Sequence, residues 1–244
     1  MTKLAIIGGS GLNQLEGMEN AQQRVVETRY GTAEVTLGEL HGQPVAFMPR
    51  HGEGHVLPPH QINYRANIAA LKQLGIEQVV ACNAVGGIHS EMGPGKLVVP
   101  DQIVDYTYGR EHTFAEQGDV IHIDFTYPYD ETLRSFLLAS LTRLEIPHVD
   151  FGVYACTQGP RLESAAEIVR LKRDGCDLVG MTAMPEAALA REAGLAYASL
   201  CLVANWGAGL TEDLITMEEI LQVIASGVEQ IHQVLSDFIP SHCN

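Results

Sequence analysis

Arg50 and His51 stand side by side in the stretch MPRHGEGH, directly after an apolar run. An arginine offers a planar fork of donors that matches an oxyanion, and a neighbouring histidine can add a second bond. The chain has a formal net charge of −15, so a cationic pair at a strand end reads as a local anion trap. An internal ion pair for Arg50 is the alternative. A metal reading of His51 and His55, four apart around Glu53, is weaker, because glycines break this stretch and it is not H-E-x-x-H on a helix.

A second anion element opens the chain. In LAIIGGSGL an apolar run leads into Gly8, Gly9, Ser10 and Gly11, a loop with free backbone N–H groups and one hydroxyl. It is not the dinucleotide fingerprint, because Gln14 stands where the third glycine belongs, and no G-x-x-x-x-G-K-[ST] run exists in the chain. A nucleophile elbow would need glycine at Leu12. A small free oxyanion is what remains, beside the plain alternative of a tight strand exit. CNAVGG (Cys82 to Gly87) is a further glycine stretch after a strand, and Thr182 in GMTAMPE puts a hydroxyl at a helix entrance. Cys82 has no local base and reads as packing.

These residues need strands to carry them. Short β-branched runs alternate with helical stretches, the pattern of a mostly parallel sheet flanked by helices. The expected strands are residues 4–7, 34–37, 45–48, 78–81, 97–104, 152–156, 178–180 and 197–204. The expected helices are residues 60–74, 131–144, 164–174, 185–193 and 217–238. Gly75 and Gly194 sit where helices end, and Pro185 where one begins. Thr216 and Glu219 have capping-box spacing, which starts the last helix at Met217. In such sheets ligands bind beyond the carboxyl ends of the strands. There lie GGSG, PRHGEGH, NAVGG, QGPRLE, GMTAMPE and ANWGAG, most of them glycine beside polar groups.

Composition narrows the partners. With 46% apolar and 18% charged residues, the 244-residue chain can build one large globular core. The acidic balance speaks against nucleic acid and anionic membranes. Five scattered cysteines without a C-x-x-C give neither a disulfide framework nor a zinc knuckle. No leader and no membrane-length apolar run is legible, so a cytoplasmic protein with reduced thiols is expected.

IIGGSGL, RHGEGH, NYRANIAALKQLG, NAVGG, GPRLESAAE, GMTAMPEAALAREAGL and YASLCLVAN occur in this order over nearly the whole chain. On these motifs the chain resembles the trimeric purine nucleoside phosphorylases and 5′-methylthioadenosine phosphorylases. The resemblance implies one α/β nucleoside phosphorylase domain over residues 1–244, with a central mixed β-sheet flanked by helices. It also implies a homotrimer with shared active sites and phosphorolysis at C1′ of a purine nucleoside. Orthophosphate would be the co-substrate, and neither metal nor organic cofactor is expected. Ser10, Arg50, His51, the Ala84 backbone and Thr182 would hold the phosphate.

Several positions bear on the nucleoside. Glu163 lies where the 6-oxopurine enzymes carry a base-binding glutamate, and Asn205 where they carry asparagine; the adenine enzymes have aspartate there and again at the position of Gly207. The chemistry agrees. A carboxylate only accepts, which suits the N1–H of hypoxanthine, and an amide can bridge O6 and N7. Leu162 replaces the aromatic that the family usually stacks beside the base. Met217 stands where enzymes for ordinary ribonucleosides carry a histidine for the 5′-hydroxyl, and a thioether packs well on a methylthio group; plugging the helix start into the core is its other reading. Met181 would help line the ribose side, and His122 falls where the methylthio enzymes bring a histidine from the neighbouring subunit. The expected reaction is cleavage of 5′-methylthioinosine to hypoxanthine and 5-methylthioribose 1-phosphate, with Asn205, His51 and Arg50 as the catalytic groups. Inosine or guanosine, and 5′-methylthioadenosine, are the rival substrates.

Overall fold

The computed structural model describes residues 2–243; Met1, Asn244 and the Cys243 side chain fall outside the described residues. In chain order the elements are β1 (Leu4–Gly8), β2 (Glu19–Thr28), β3 (Gly31–Leu40), β4 (Gln43–Pro49), a 3-10 turn (Pro59–Gln61), α1 (Tyr64–Gln73), β5 (Gln78–Gly87), β6 (Leu97–Val98), β7 (Gln102–Asp105), α2 (Glu131–Arg143), β8 (His148–Val149), β9 (Val153–Cys156), α3 (Ala165–Arg173), β10 (Leu178–Gly180), α4 (Ala183–Glu192), β11 (Ala196–Trp206) and α5 (Met217–Cys243).

The sheet is mixed rather than mostly parallel. β4, β1, β5 and β11 run parallel, as do β10, β9 and β7, but β2, β3 and β4 form an antiparallel meander and β10 is antiparallel to β5. β5 is the branch point. It pairs β1 through Ala81 and β10 only at Gly86 and Gly87, while β11 runs along its whole other edge. Residues 82–85 therefore have no strand partner on the β1 side. The carboxyl ends of β1 and β4 open into that gap.

Period-two alternation explains how both faces are covered. In β1, Ala5 and Ile7 enter one apolar cluster with α1 and α4, while Leu4 and Ile6 enter another with α2 and α5. Helix starts follow their local chemistry. Asn63 Oδ1 accepts from the Ala66 N–H, Asp130 Oδ1 from the Leu133 N–H, and Ser164 with Glu167 closes a capping box. The Thr216 hydroxyl accepts from the Glu219 N–H, so α5 starts at Met217 as its spacing predicts. Gly75 and Gly194 take φ of 80° and 68° just past helix ends, where only glycine is unstrained.

Several boundaries differ from the sequence expectation. The expected helix over 60–74 begins at Tyr64, because the prolines before it support only a 3-10 turn. The expected strand over 97–104 breaks around Pro100 into β6 and β7. NAVGG and Asn205 are not loops; they form the ends of β5 and β11. β2 went unread, because this exposed edge strand has no buried face and so no alternation. The α4 assignment includes Met184 at φ −118° and ψ 136°, so regular helix does begin at Pro185. The peptide bonds before Pro160 and Pro185 are cis. Cys82, Cys156, Cys176 and Cys201 are free and buried. Among the described residues no helix is long and apolar enough to cross a membrane.

Candidate active site

Beyond the carboxyl ends of β1, β4 and β10, and along the last residues of β5 and β11, lies a cavity of about 760 Å³. Ser10, Arg50, His51, Ala84, Leu162, Glu163, Met181, Thr182, Asn205 and Met217 all line it. His122 does not. It is exposed in the irregular segment before α2, so within one chain it stays apart from the rest.

At the inner end Arg50 is buried and locked. Its Nε and Nη2 donate to the two carboxylate oxygens of Glu186 at 2.7 and 2.8 Å, and its Nη1 donates to the Cys82 carbonyl at 2.9 Å. The Tyr197 hydroxyl donates to Glu186 Oε1 at 2.8 Å. Burial opposes the guanidinium charge, but the adjacent Glu186 carboxylate more than offsets it and holds the pKa above its ordinary value. Arg50 is thus ion-paired, as the internal reading expects, and it borders the cavity. Its charge is neutralised locally. Two of its five N–H groups remain for a ligand.

The backbone supplies the other donors. A Cβ on Gly9 would lie 2.5 Å from the Cys82 carbonyl and 3.0 Å from Arg50 Nη1, so only glycine lets the loop after β1 pass this close. Along a strand the N–H and C=O of alternate residues point to the same side. The Cys82 carbonyl faces Arg50, so the Ala84 N–H faces that way too. Thr182 precedes α4, and its Oγ1 accepts from Asn83 Nδ2 at 3.0 Å, which leaves the hydroxyl proton free for an anion.

His51 behaves differently from the expected donor. Its Nδ1 lies 2.8 Å from the Leu57 carbonyl, which only accepts, so Nδ1 carries the proton. Burial, against the opposing Leu57 bond, lowers its pKa to about 4, with Arg50 and His55 adding to the shift. The ring is neutral near pH 7, and Nε2 presents a lone pair suited to a protonated phosphate oxygen. The folded protein resists the His51 proton until about pH 4, whereas a free histidine binds one near 6.5, so stability is lost as pH falls through that window. Thermal melts from about pH 7.5 to about pH 4 should therefore show a smaller loss for His51→Asn than for wild type. Equal losses would contradict a buried neutral ring.

The outer end holds the groups for a heterocycle. Glu163 Oε1 accepts from the Thr157 hydroxyl at 2.6 Å, leaving Oε2 free. Asn205 Nδ2 donates to the Trp206 carbonyl at 2.7 Å, which leaves one N–H to donate to O6 or N7 of a purine and Oδ1 as an acceptor. Leu162 adds an aliphatic wall. Gly207 is tightly packed: a Cβ there would lie 3.0 Å from Ile168 Cδ1, so Ile168 would have to shift by a few tenths of an ångström to admit a side chain. On the third side, Met217 and Leu221 are 60% and 58% exposed and form an apolar rim with Ile220 and Ile224 beneath it. Met217 is at the cavity mouth and does not plug the core.

Sequence reasoning missed Glu186, Tyr197, Thr157 and Asn83. Glu186 had a signal: one carboxylate inside the apolar run AMPEAALA must be paired to be buried.

A group of anion donors at strand ends is thus continuous with a cleft lined by a carboxylate, an amide and apolar side chains. The sequence pattern of the phosphorylase superfamily matches residues 3–240, and the chain belongs to that family. It is 55% identical over 240 residues to a probable S-methyl-5′-thioinosine phosphorylase of Pseudomonas syringae pv. tomato, covering 97% of this chain and 98% of that one. It is 42% identical over 247 residues to the 6-oxopurine nucleoside phosphorylase of Pyrococcus furiosus, covering 98% and 93%. The solved methylthioadenosine phosphorylase from Schistosoma mansoni in complex with adenine superposes with a TM-score of 0.94 at 31% identity, covering 99% of this chain and 92% of that one.

Proposed function

We infer that this enzyme cleaves the N-glycosidic bond of 5′-methylthioinosine with orthophosphate, giving hypoxanthine and 5-methylthioribose 1-phosphate. The observation that carries the reading is one cavity that joins an acceptor carboxylate (Glu163) to an apolar 5′ rim (Met217) across the Arg50–Thr182 anion cradle. The named relatives in Pseudomonas syringae and Pyrococcus furiosus support it, one by substrate and one by base class.

In this reading a phosphate oxygen forms the new bond to C1′ as the C1′–N9 bond breaks, and the bonding pair leaves with the purine. The remaining Arg50 N–H groups, the Ser10 and Thr182 hydroxyls and the Ala84 N–H hold the phosphate beneath C1′. His51 Nε2 accepts a hydrogen bond from hydrogen phosphate; the phosphate gives up that proton to solvent as the ester forms, and the departing purine anion takes one from solvent to become hypoxanthine. Asn205 stabilises charge arriving on the base through its remaining N–H, an electrostatic role whose removal would cost roughly 10²–10³-fold. Met181 lines the ribose side. No metal or organic cofactor takes part. The reading includes a cytoplasmic homotrimer in which His122 of a second copy covers the open 5′ end, consistent with the exposed apolar rim.

The 5′ side gives a direct test. A thioether rim favours methylthio over hydroxyl, and one such contact is worth roughly 10- to 200-fold in specificity. Inosine should therefore react, but poorly. Met217→His supplies a donor and should raise kcat/KM for inosine relative to methylthioinosine. An unchanged ratio would assign Met217 no role in 5′ recognition.

A further inference from the structure

Glu163 sits on a loop, yet its task in the reading above demands a fixed direction. Its carboxylate has one hydrogen bond among the described residues, from Thr157. Arg161, two positions earlier, is engaged with both oxygens of Glu167 at 2.8 Å and leaves Glu163 to the hydroxyl.

Thr157 itself is held from several sides. It directly follows β9, and its N–H donates to the Gly180 carbonyl at the end of β10 at 2.8 Å. Its own carbonyl accepts from Arg110 Nη2 at 3.3 Å, and the Gln158 carbonyl accepts from the same nitrogen at 2.8 Å. Arg110 is buried and also donates to the Met181 and Met184 carbonyls, so the segment is tied to the phosphate shelf. A second acceptor lies near the hydroxyl, the Gly180 carbonyl at 3.3 Å, but the Thr157 N–H already serves it. The single hydroxyl proton goes to the nearer, charged oxygen of Glu163.

We propose that Thr157 is a positioning residue for base selection: its hydroxyl carries the rigidity of the β9–β10 frame to Glu163 and fixes the carboxylate as an acceptor facing the purine N1–H. This rests on the 6-oxopurine reading of the site. With Oε1 taken by the Thr157 hydroxyl, Oε2 is the oxygen that meets the base, and a carboxylate oxygen there can only accept. Neither a loop carboxylate without this bond nor a bare hydroxyl would do the same.

Thr157→Val keeps the shape and removes the donor. It should lower kcat/KM for methylthioinosine about tenfold, the scale of one hydrogen bond to a charged group. The KM for phosphate should not move, and the methylthioinosine-to-methylthioadenosine ratio should narrow by about the same factor. Thr157→Ser should restore activity and ratio, and Thr157→Ala gives a second donor-free variant if the valine protein does not fold. The deciding measurement is a double-mutant cycle with Glu163→Gln, run on whichever nucleoside the wild type cleaves best, so that it judges Thr157 even if the substrate assignment fails. In the Glu163→Gln background, removing the hydroxyl should cost less than about twofold. An equal loss in both backgrounds, an unchanged base ratio, or a serine variant as poor as the donor-free ones would overturn the proposal.

Discussion

Arg50→Met should yield an enzyme with no measurable phosphorolysis and a sharply lower melting temperature. The two losses have different causes. Glu186 is fully buried, and without Arg50 its charge keeps only the Tyr197 hydroxyl as a side-chain donor. Breaking a buried ion pair from one side costs about 3–5 kcal/mol. For a chain of this size that corresponds to a fall of roughly 6–20 °C. In the proposed reading the catalytic loss comes from the two guanidinium N–H groups left without a protein partner beside the cavity. Arg50→Met with Glu186→Leu separates the causes, because replacing both members of such a pair with apolar groups is often near neutral. The double variant should regain most of the melting temperature, short of about 1–3 kcal/mol for the orphaned Tyr197 hydroxyl, and should stay inactive. If it regains activity to within about tenfold of wild type, Arg50 is a structural ion pair and not the phosphate ligand.

The second large effect concerns the base. In the proposed reading hypoxanthine presents N1–H to Glu163, whereas adenine presents a lone pair that a carboxylate cannot serve. A site built to accept an N–H rejects the analogue that lacks it, so methylthioinosine should exceed methylthioadenosine in kcat/KM by roughly hundredfold or more. Glu163→Gln should narrow the gap by about tenfold, because an amide can donate to the adenine N1 or accept from N1–H. Gly207 limits any further conversion toward adenine. A side chain there must displace Ile168, so an aspartate like that of the adenine enzymes does not fit without repacking. A Glu163→Gln variant with an unchanged ratio would remove Glu163 from base recognition.

Much of this site is visible in the sequence, and the reason is local. Ser10, Arg50, His51 and Thr182 each follow or precede a strand or helix whose periodicity is readable, and strand ends are where sheets converge. Their shared cavity follows from topology. The capping-box start of α5 places Met217 by spacing alone. What escaped is non-local or lacks pattern. Arg50 and Glu186 are 136 residues apart, and no spacing rule joins them. The Thr157–Glu163 bond depends on a turn whose path the sequence does not fix. β2 is exposed along most of its length and only half-buries Val26 against the core, so its pairing with β3 leaves little hydrophobic alternation. The Nδ1–H tautomer of His51 depends on the Leu57 carbonyl that its own loop folds back to offer.

The most direct test of the account is kcat/KM of the wild-type protein for methylthioinosine, inosine and methylthioadenosine, with and without orthophosphate, reading free base and sugar 1-phosphate. Methylthioinosine should be cleaved best, strictly with phosphate, to equal amounts of hypoxanthine and 5-methylthioribose 1-phosphate. Inosine should follow at roughly 10- to 200-fold lower efficiency, with methylthioadenosine at least about hundredfold below the best substrate. Equal or better cleavage of inosine or methylthioadenosine, or base release without phosphate, would contradict it.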